Sequence, residues 1–307
     1  MKENSHTLAP WFRLVRLPNL LTVPGDPVAG FLLVAAAGGV APDMRRLFAV
    51  MGASLCLYVF GLILNDIVDI EVDRVERPER PLPSGEITVP QARMAAIAMA
   101  LSGLNLALVA GRGTLNVAEV LALGIIFYNC VLKGKPGAVV AMGGCRGGSL
   151  LLGAVAAGPP ATLAGGGAAL VAAVGLIAYV AAFSVIAERE MEAEKPQGAA
   201  RWMPFVVLLL TLPLVLIVAA ISREPAPVQS VVAVFLMVMT LMRAWLLGGF
   251  QYRLQTVPET VGGHIRNLLM VQACFCASAG AAGLWPAFTF VLLSLVFKRL
   301  AARFYSS

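Results

Sequence analysis

Charge is scarce in this chain. Lysine, arginine, aspartate and glutamate make up 13% of its 307 residues, while 59% are hydrophobic. A soluble domain carries charge on about a quarter of its residues, so a water-soluble globule is excluded. Histidine is scarcer still: His6 and His264 stand alone, and no histidine metal site is expected. The cysteines are Cys56, Cys130, Cys145, Cys274 and Cys276, odd in number, without zinc-type spacing, and all in or beside apolar runs. They read as reduced, buried thiols. The alternating pattern of barrel strands is missing, so these runs are expected to be helices in lipid. The first apolar stretch, after Arg16, lacks an A-x-A-like site at its end. It is expected to stay as the first helix and not to be cleaved as a signal peptide. The net charge of +6 comes from basic residues scattered among loops, which does not point to nucleic acid.

What the chain does have is long apolar runs, at about 17–38, 47–65, 90–111, 115–132, 138–157, 165–187, 203–221 and 227–248, with a last one over about 267–302. At roughly 20 residues per span these make an all-α integral membrane protein. The last run is interrupted around Gly283-Leu284-Trp285-Pro286, as one broken helix or a hairpin, so nine and ten spans are both open. One helical domain covers 1–307, with polar cap loops at 66–89 and 188–202. Placing the N-terminus in the cytoplasm puts Arg74, Arg80, Lys133, Arg189 and most other basic residues on or near the inner side, leaving Arg45, Arg46, Arg112 and Arg223 opposite. The positive-inside rule prefers that topology, an inner (plasma) membrane protein with its acidic loops facing the cytoplasm.

The second run ends in Asn65-Asp66-Ile67-Val68-Asp69-Ile70-Glu71-Val72-Asp73. Asp66, Asp69 and Asp73 are spaced +3 and +4, so a continued helix puts them on one stripe, with Asn65 on the same face. Acids this close repel unless a cation sits among them, and they are costly at membrane depth without a partner. Carboxylate and amide oxygens suit Mg2+, which completes its shell with water and substrate phosphate. The plain alternative is a solvated, charged helix end. A second acidic cluster, Glu188, Glu190, Glu192 and Glu194, follows the sixth run about 120 residues later. Glu188 and Glu192 are four apart and could also hold metal, although an alternating charged loop has the same look. Two acidic loops, each four spans apart, hint at an internal duplication.

Arg146 lies inside an apolar run and should face the interior, either on an anionic group of a substrate or on an acid such as Asp69 or Glu192. The glycines around it, Gly143/Gly147 and Gly144/Gly148 with Gly153, read as small-residue packing pairs more than as a phosphate loop. Asp26, in Pro24-Gly25-Asp26-Pro27, is another intramembrane acid, lining a cavity or marking a kink. Lys133 and Tyr128 end the fourth run, where anchoring and substrate binding are both open.

Asn65-Asp66-x-x-Asp69-x-x-x-Asp73 resembles the first signature of the UbiA superfamily of intramembrane prenyltransferases. Arg80-Pro81-Leu82-Pro83-Ser84-Gly85 is similar to that family's next block, and Arg16-Leu17-Pro18-Asn19 to its entry into the first helix. Tyr128 with Lys133, and Met142-Gly143-x-Cys145-Arg146, resemble its fourth-to-fifth-helix region. The likeness is strongest over about 12–200. It implies a bundle of nine helices around a central cavity with a cytoplasmic polar cap. It implies two acidic motifs holding Mg2+ against the diphosphate of a polyprenyl donor, whose allylic C–O bond ionises so that an acceptor, often aromatic, captures the cation. On this resemblance Asp66, Asp69, Asp73 and Arg146 are catalytic, and Asn19, Arg80, Tyr128, Lys133 and Arg146 bind diphosphate or acceptor. The metal ligands are Asn65, Asp69, Asp73, Glu188 and Glu192. Glutamate in the second cluster departs from the family's usual aspartate. That departure keeps alive a non-catalytic prenyl-lipid-binding protein; a metabolite transporter, with the acids as ion sites, is the other alternative.

Overall fold

The computed structural model describes residues 8–38, 41–135, 137–158, 163–188, 198–222 and 226–305. Every regular element among them is helical. Two short helices, α1 (Ala9–Leu14) and α2 (Leu17–Leu20), lead into α3 (Gly25–Ala37). Then come α4 (Met44–Val68), α5 (Ile70–Glu76), α6 (Val89–Ala110), α7 (Arg112–Phe127) and α8 (Ala138–Ala156). The second part holds α9 (Leu163–Glu188), α10 (Met203–Ser222), α11 (Pro227–Gly248), α12 (Phe250–Leu254), α13 (Val257–Ser278) and α14 (Ala281–Tyr305). Among the described residues, eight segments are long and apolar enough to cross a membrane, from Leu17–Ala37 to Pro227–Leu254.

Helix boundaries follow local chemistry. Thr88 caps α6 in a reciprocal box with Gln91, and Thr256 caps α13 in the same way with Glu259. Asp43 accepts the backbone N–H of Arg46 at 3.2 Å and starts α4. The final apolar run divides at Ala279-Gly280, not at Gly283–Pro286 as the sequence led us to expect. Gly280 adopts φ 83, a left-handed turn that ends α13, while Pro286 lies inside α14. Gly283 is helical and lies against the Cys276 carbonyl, where a Cβ has no room.

The helices at the centre are α3 and α13. Residues 25–35 of α3 are all buried, as are residues 267–278 of α13. Apolar periodicity missed the first part of α13 because its inward side chains are polar: Thr260, His264, Asn267 and Gln272 are completely buried. Tyr179 Oη of α9 shares a hydrogen bond with His264 Nδ1 at 3.1 Å and accepts from Asn267 Nδ2 at 3.3 Å. Outward positions such as Met94, Val120, Leu210 and Ile221 are exposed and apolar, a surface suited to lipid.

Glycines set the closest helix crossings. A Cβ on Gly30 would strike the Leu150 carbonyl, and one on Gly153 the Pro27 carbonyl, so α3 and α8 meet backbone to backbone. Gly143 and Gly147 give α9 the same access at Ile177. Gly144 faces open space. Gly143, Gly144, Gly147 and Gly153 lie within α8, so this stretch is a packing surface and not a phosphate loop.

Candidate functional site

α4 carries no charge from Leu47 to Leu64 and then meets Asn65 and Asp66. It ends at Val68; Asp69 sits at φ −84, ψ 0, and α5 resumes at Ile70. Backbone bonding runs through this joint, with Asp69 N–H on the Asn65 carbonyl at 3.0 Å and Asp73 N–H on the Asp69 carbonyl at 2.8 Å. The expected stripe therefore forms across a joint between two helices. Asp66 and Asp73 are buried, while Asn65 and Asp69 are half-buried.

Each carboxylate meets a base from a different part of the chain. Arg16 Nη2 reaches Asp66 Oδ1 at 3.2 Å. Lys133 Nζ pairs with the Asp69 carboxylate and donates to Asn65 Oδ1 at 2.6 Å. Arg80 Nη1 reaches Asp73 Oδ2 at 2.7 Å. Three acids thus face three bases, and their charges balance in a partly buried setting. Arg16 holds φ 49, the only positive φ of a non-glycine residue among those described, at the joint between α1 and α2. Such a backbone persists where surrounding contacts over-determine it. Lys133 follows a turn of π-helix, Tyr128–Leu132, and its N–H bonds the Tyr128 carbonyl at 3.0 Å. Wide turns of this kind are frequent at functional sites. Arg80 lies in the cap loop, whose Pro81, Leu82 and Ile87 are buried and whose Ser84–Glu86 end is tied to α1 through Arg13–Glu86.

Beneath these pairs lies a cavity of about 270 Å³. Arg16, Asn19, Asn65, Tyr128 and Asn129 supply its polar lining near the acids. Leu57, Leu62, Leu121, Ile125 and Ile265 supply apolar wall. Further along, Ser54 and Ser149 share a hydrogen bond of 2.6 Å. A separate groove of about 770 Å³ runs along α2, α4 and α14 between Leu17, Leu21, Phe48, Met51, Trp285 and Phe290, and it is almost wholly apolar.

Arg146 also borders the cavity, and its ion partner among the described residues is Asp26, not Asp69. Its Nε lies 3.0 Å from Asp26 Oδ2, close enough for an ion pair although the N–H is not aligned for a hydrogen bond. Glu188 is exposed at the end of α9. Glu190, Glu192 and Glu194 lie outside the described residues, and so does most of the second cluster. The sequence pointed to Asn19, Asn65, Asp66, Asp69, Asp73, Arg80, Tyr128 and Lys133, and these gather at one end of the bundle. It did not single out Arg16 as the partner of Asp66, although the block Arg16-Leu17-Pro18-Asn19 was the available signal. Asn129, Ser54 and Ser149 carried no signal beyond being polar residues in apolar runs.

Among the described residues, no group of three acidic, histidine or cysteine side chains forms a ready metal cluster, and Asp66, Asp69 and Asp73 are each held by a base. The donor chemistry still fits a hard divalent ion. All available ligand atoms are oxygens. Asn65 Nδ2 stands 3.2 Å from Asp66 Oδ1 and 3.3 Å from Asp69 Oδ2, a positive dipole between two carboxylates where a cation would satisfy both.

Residues 27–258 match the model of the UbiA prenyltransferase family. A digeranylgeranylglyceryl phosphate synthase of Saccharolobus solfataricus is 31% identical over 133 residues, which make up 41% of this chain and 44% of that protein. The chain spans less than half the length of the first curated relatives it matches, 44%, 43% and 43%. A solved UbiA homologue from Aeropyrum pernix K1 superposes with a TM-score of 0.65 at 16% identity, over 83% of this chain and 96% of that one. Another from Archaeoglobus fulgidus, solved with GPP and Mg2+, superposes with a TM-score of 0.50 at 16% identity, over 97% of this chain and all of that one. At these identities the structures speak for the shared fold alone. The family match covers most of the chain, including α4 and its acidic end. The protein is a multi-pass membrane protein and belongs to the UbiA prenyltransferase family.

Proposed function

We propose that this protein is a prenyltransferase that moves a prenyl group from a polyprenyl diphosphate to a small or lipophilic acceptor in the cavity, with Mg2+ as cofactor. The observation that carries this reading is the set of three acid–base pairs at the mouth of a mostly apolar cavity. Asn65, Asp66, Asp69 and Asp73 would hold the metal, joined by Glu188 and Glu192. Bound there, Mg2+ neutralises charge growing on the leaving diphosphate.

The chain's own residues do the rest. Arg16, Arg80 and Lys133 release their carboxylates and take phosphate oxygens, so the site exchanges one compensated set of charges for another. The donor's allylic C–O bond then breaks, both electrons leaving with the diphosphate. Leu57, Leu121 and Ile125 keep water from the allylic cation, and the Tyr128 ring offers it a π face. Asn19 and Asn65 orient the head groups. The apolar groove beside Leu17 and Leu21 gives the isoprenoid tail a route to lipid.

The same reading places the acidic end in the cytoplasm and the chain in the plasma membrane, as one domain over 1–307 with a polar cap. It counts ten crossings, with α13 and α14 as a closing hairpin of 22 and 25 residues.

The test is release of diphosphate from labelled geranylgeranyl diphosphate by protein in nanodiscs with Mg2+. The acceptor panel spans glycerol phosphate ethers and aromatic quinone precursors. Acceptor-dependent release, abolished by Asp69→Asn, is the expected result. A non-catalytic prenyl-lipid binder is the second reading, favoured by glutamate in place of aspartate in the second cluster. It predicts saturable donor binding with no release for any acceptor.

A further inference from the structure

The first membrane helix is broken, and Asp26 of that helix meets two side chains from elsewhere in the fold, Arg146 of α8 and Gln272 of α13, at the break. α2 ends at Leu20 and α3 begins at Gly25, leaving carbonyls in between without helical partners. In lipid such groups must be satisfied by protein. The Thr22 carbonyl accepts from Arg146 Nη2 at 2.9 Å and from Gln272 Nε2 at 2.6 Å. Thr22 Oγ1 donates to the Asn19 carbonyl at 2.9 Å and lies 3.3 Å from Arg146 Nη2. Asp26, in the first turn of α3, holds both donors: Oδ1 accepts from Gln272 Nε2 at 2.6 Å, and Oδ2 lies 3.0 Å from Arg146 Nε. Thr22, Asp26, Arg146 and Gln272 are all buried.

The break is built for this arrangement. A Cβ at position 25 would collide with the Gln272 side chain, so only glycine lets Gln272 reach Thr22. Asp26 sits where the α3 dipole favours an anion, and it compensates a guanidinium that would be costly alone in lipid. Two of the three nitrogens of Arg146 are thereby committed to the protein. The helix held in place is α2, which carries Asn19 into the cavity lining and follows Arg16, the base on Asp66.

We propose that Asp26, Arg146 and Gln272 form a positioning clamp on the broken first helix, setting Arg16 and Asn19 over the cavity mouth. Arg146 then acts through α2 and not by contact with diphosphate. The kinetic part of this inference rests on the reading of the cavity as the donor site.

Removing Arg146 alone strands a buried Asp26, and the variant can fail to fold. The informative variants are Gln272→Leu, which removes one donor, and the double Asp26→Asn with Arg146→Gln, which removes both charges together. Two readouts apply, both in nanodiscs. Amide hydrogen exchange over residues 17–24 should accelerate about tenfold in either variant while α8 and α9 stay protected. The KM for geranylgeranyl diphosphate should rise about tenfold with kcat within about twofold. Arg16→Ala should raise KM similarly and add little to Gln272→Leu. Unchanged exchange over 17–24 would overturn the clamp. So would a collapse of kcat in the Asp26/Arg146 double variant with Gln272→Leu kinetically normal, since that marks Arg146 as a contact residue. If the wild-type protein turns over no donor, the functional reading fails, and hydrogen exchange still decides the clamp.

Discussion

Lys133, just beyond the π turn that ends the fourth span, pairs with Asp69 at the end of the second span, and its ammonium also bonds Asn65. One cation thus closes the two residues whose oxygens suit a metal. On the proposed function, the same ammonium would take a phosphate oxygen when the carboxylate turns away.

Lys133→Met should lower kcat/KM for the prenyl diphosphate by about 10²-fold, the worth of one or two charge-assisted bonds. Asp69→Asn should do at least as much. The double variant should fall well short of the product of the two losses, because both act on one network. Steady-state kinetics over the four proteins measures the coupling, and simple multiplication of the effects would break the link between the pair and the reaction.

Thermal unfolding in detergent separates metal from substrate. With each carboxylate already paired to a base, Mg2+ alone should move Tm little. A non-hydrolysable prenyl diphosphate with Mg2+ should stabilise by about 2.7 kcal/mol at a hundred times its Kd. EDTA should erase that gain. Full stabilisation by donor in EDTA would argue against a metal at the 65–73 end.

Glycine positions give a paired test of packing. Gly153→Val should cost roughly 3 kcal/mol or more, because α3 and α8 cannot part without losing a buried contact. Gly144→Ala has open space and should stay within about 0.5 kcal/mol of wild type. Midpoints of denaturation in mixed micelles report both.

Tyr179→Phe removes a hydroxyl that serves both His264 and Asn267, neither of which lines the cavity. A loss of about 1–3 kcal/mol is expected, the cost of leaving buried polar atoms unpaired. The donor KM should not change. A large kinetic effect with unaltered stability would mean that this network reaches the site.

Much of the architecture was legible one residue at a time. Uncharged runs of span length, the acids after Leu64 and the basic side chains beside them follow from how lipid and water solvate each side chain. Where polarity was buried, the same reasoning faltered. α13 begins at Val257, ten residues before the apolar run that announced it, because Thr260, His264 and Asn267 find partners inside the bundle and need no water.

Hydropathy and charge along the chain determined that this protein is a helical membrane bundle with an acidic mouth, since solvation acts on each segment separately. Which base meets which acid was decided only by tertiary structure. Arg146 bonds Thr22, 124 residues away, and Gln272 bonds Asp26, 246 residues away. Such pairings depend on the rotation and depth of each helix against its neighbours. Those are set where glycines let α3 and α8 touch and where Gly25 makes room for Gln272, and no periodicity in the sequence encodes them.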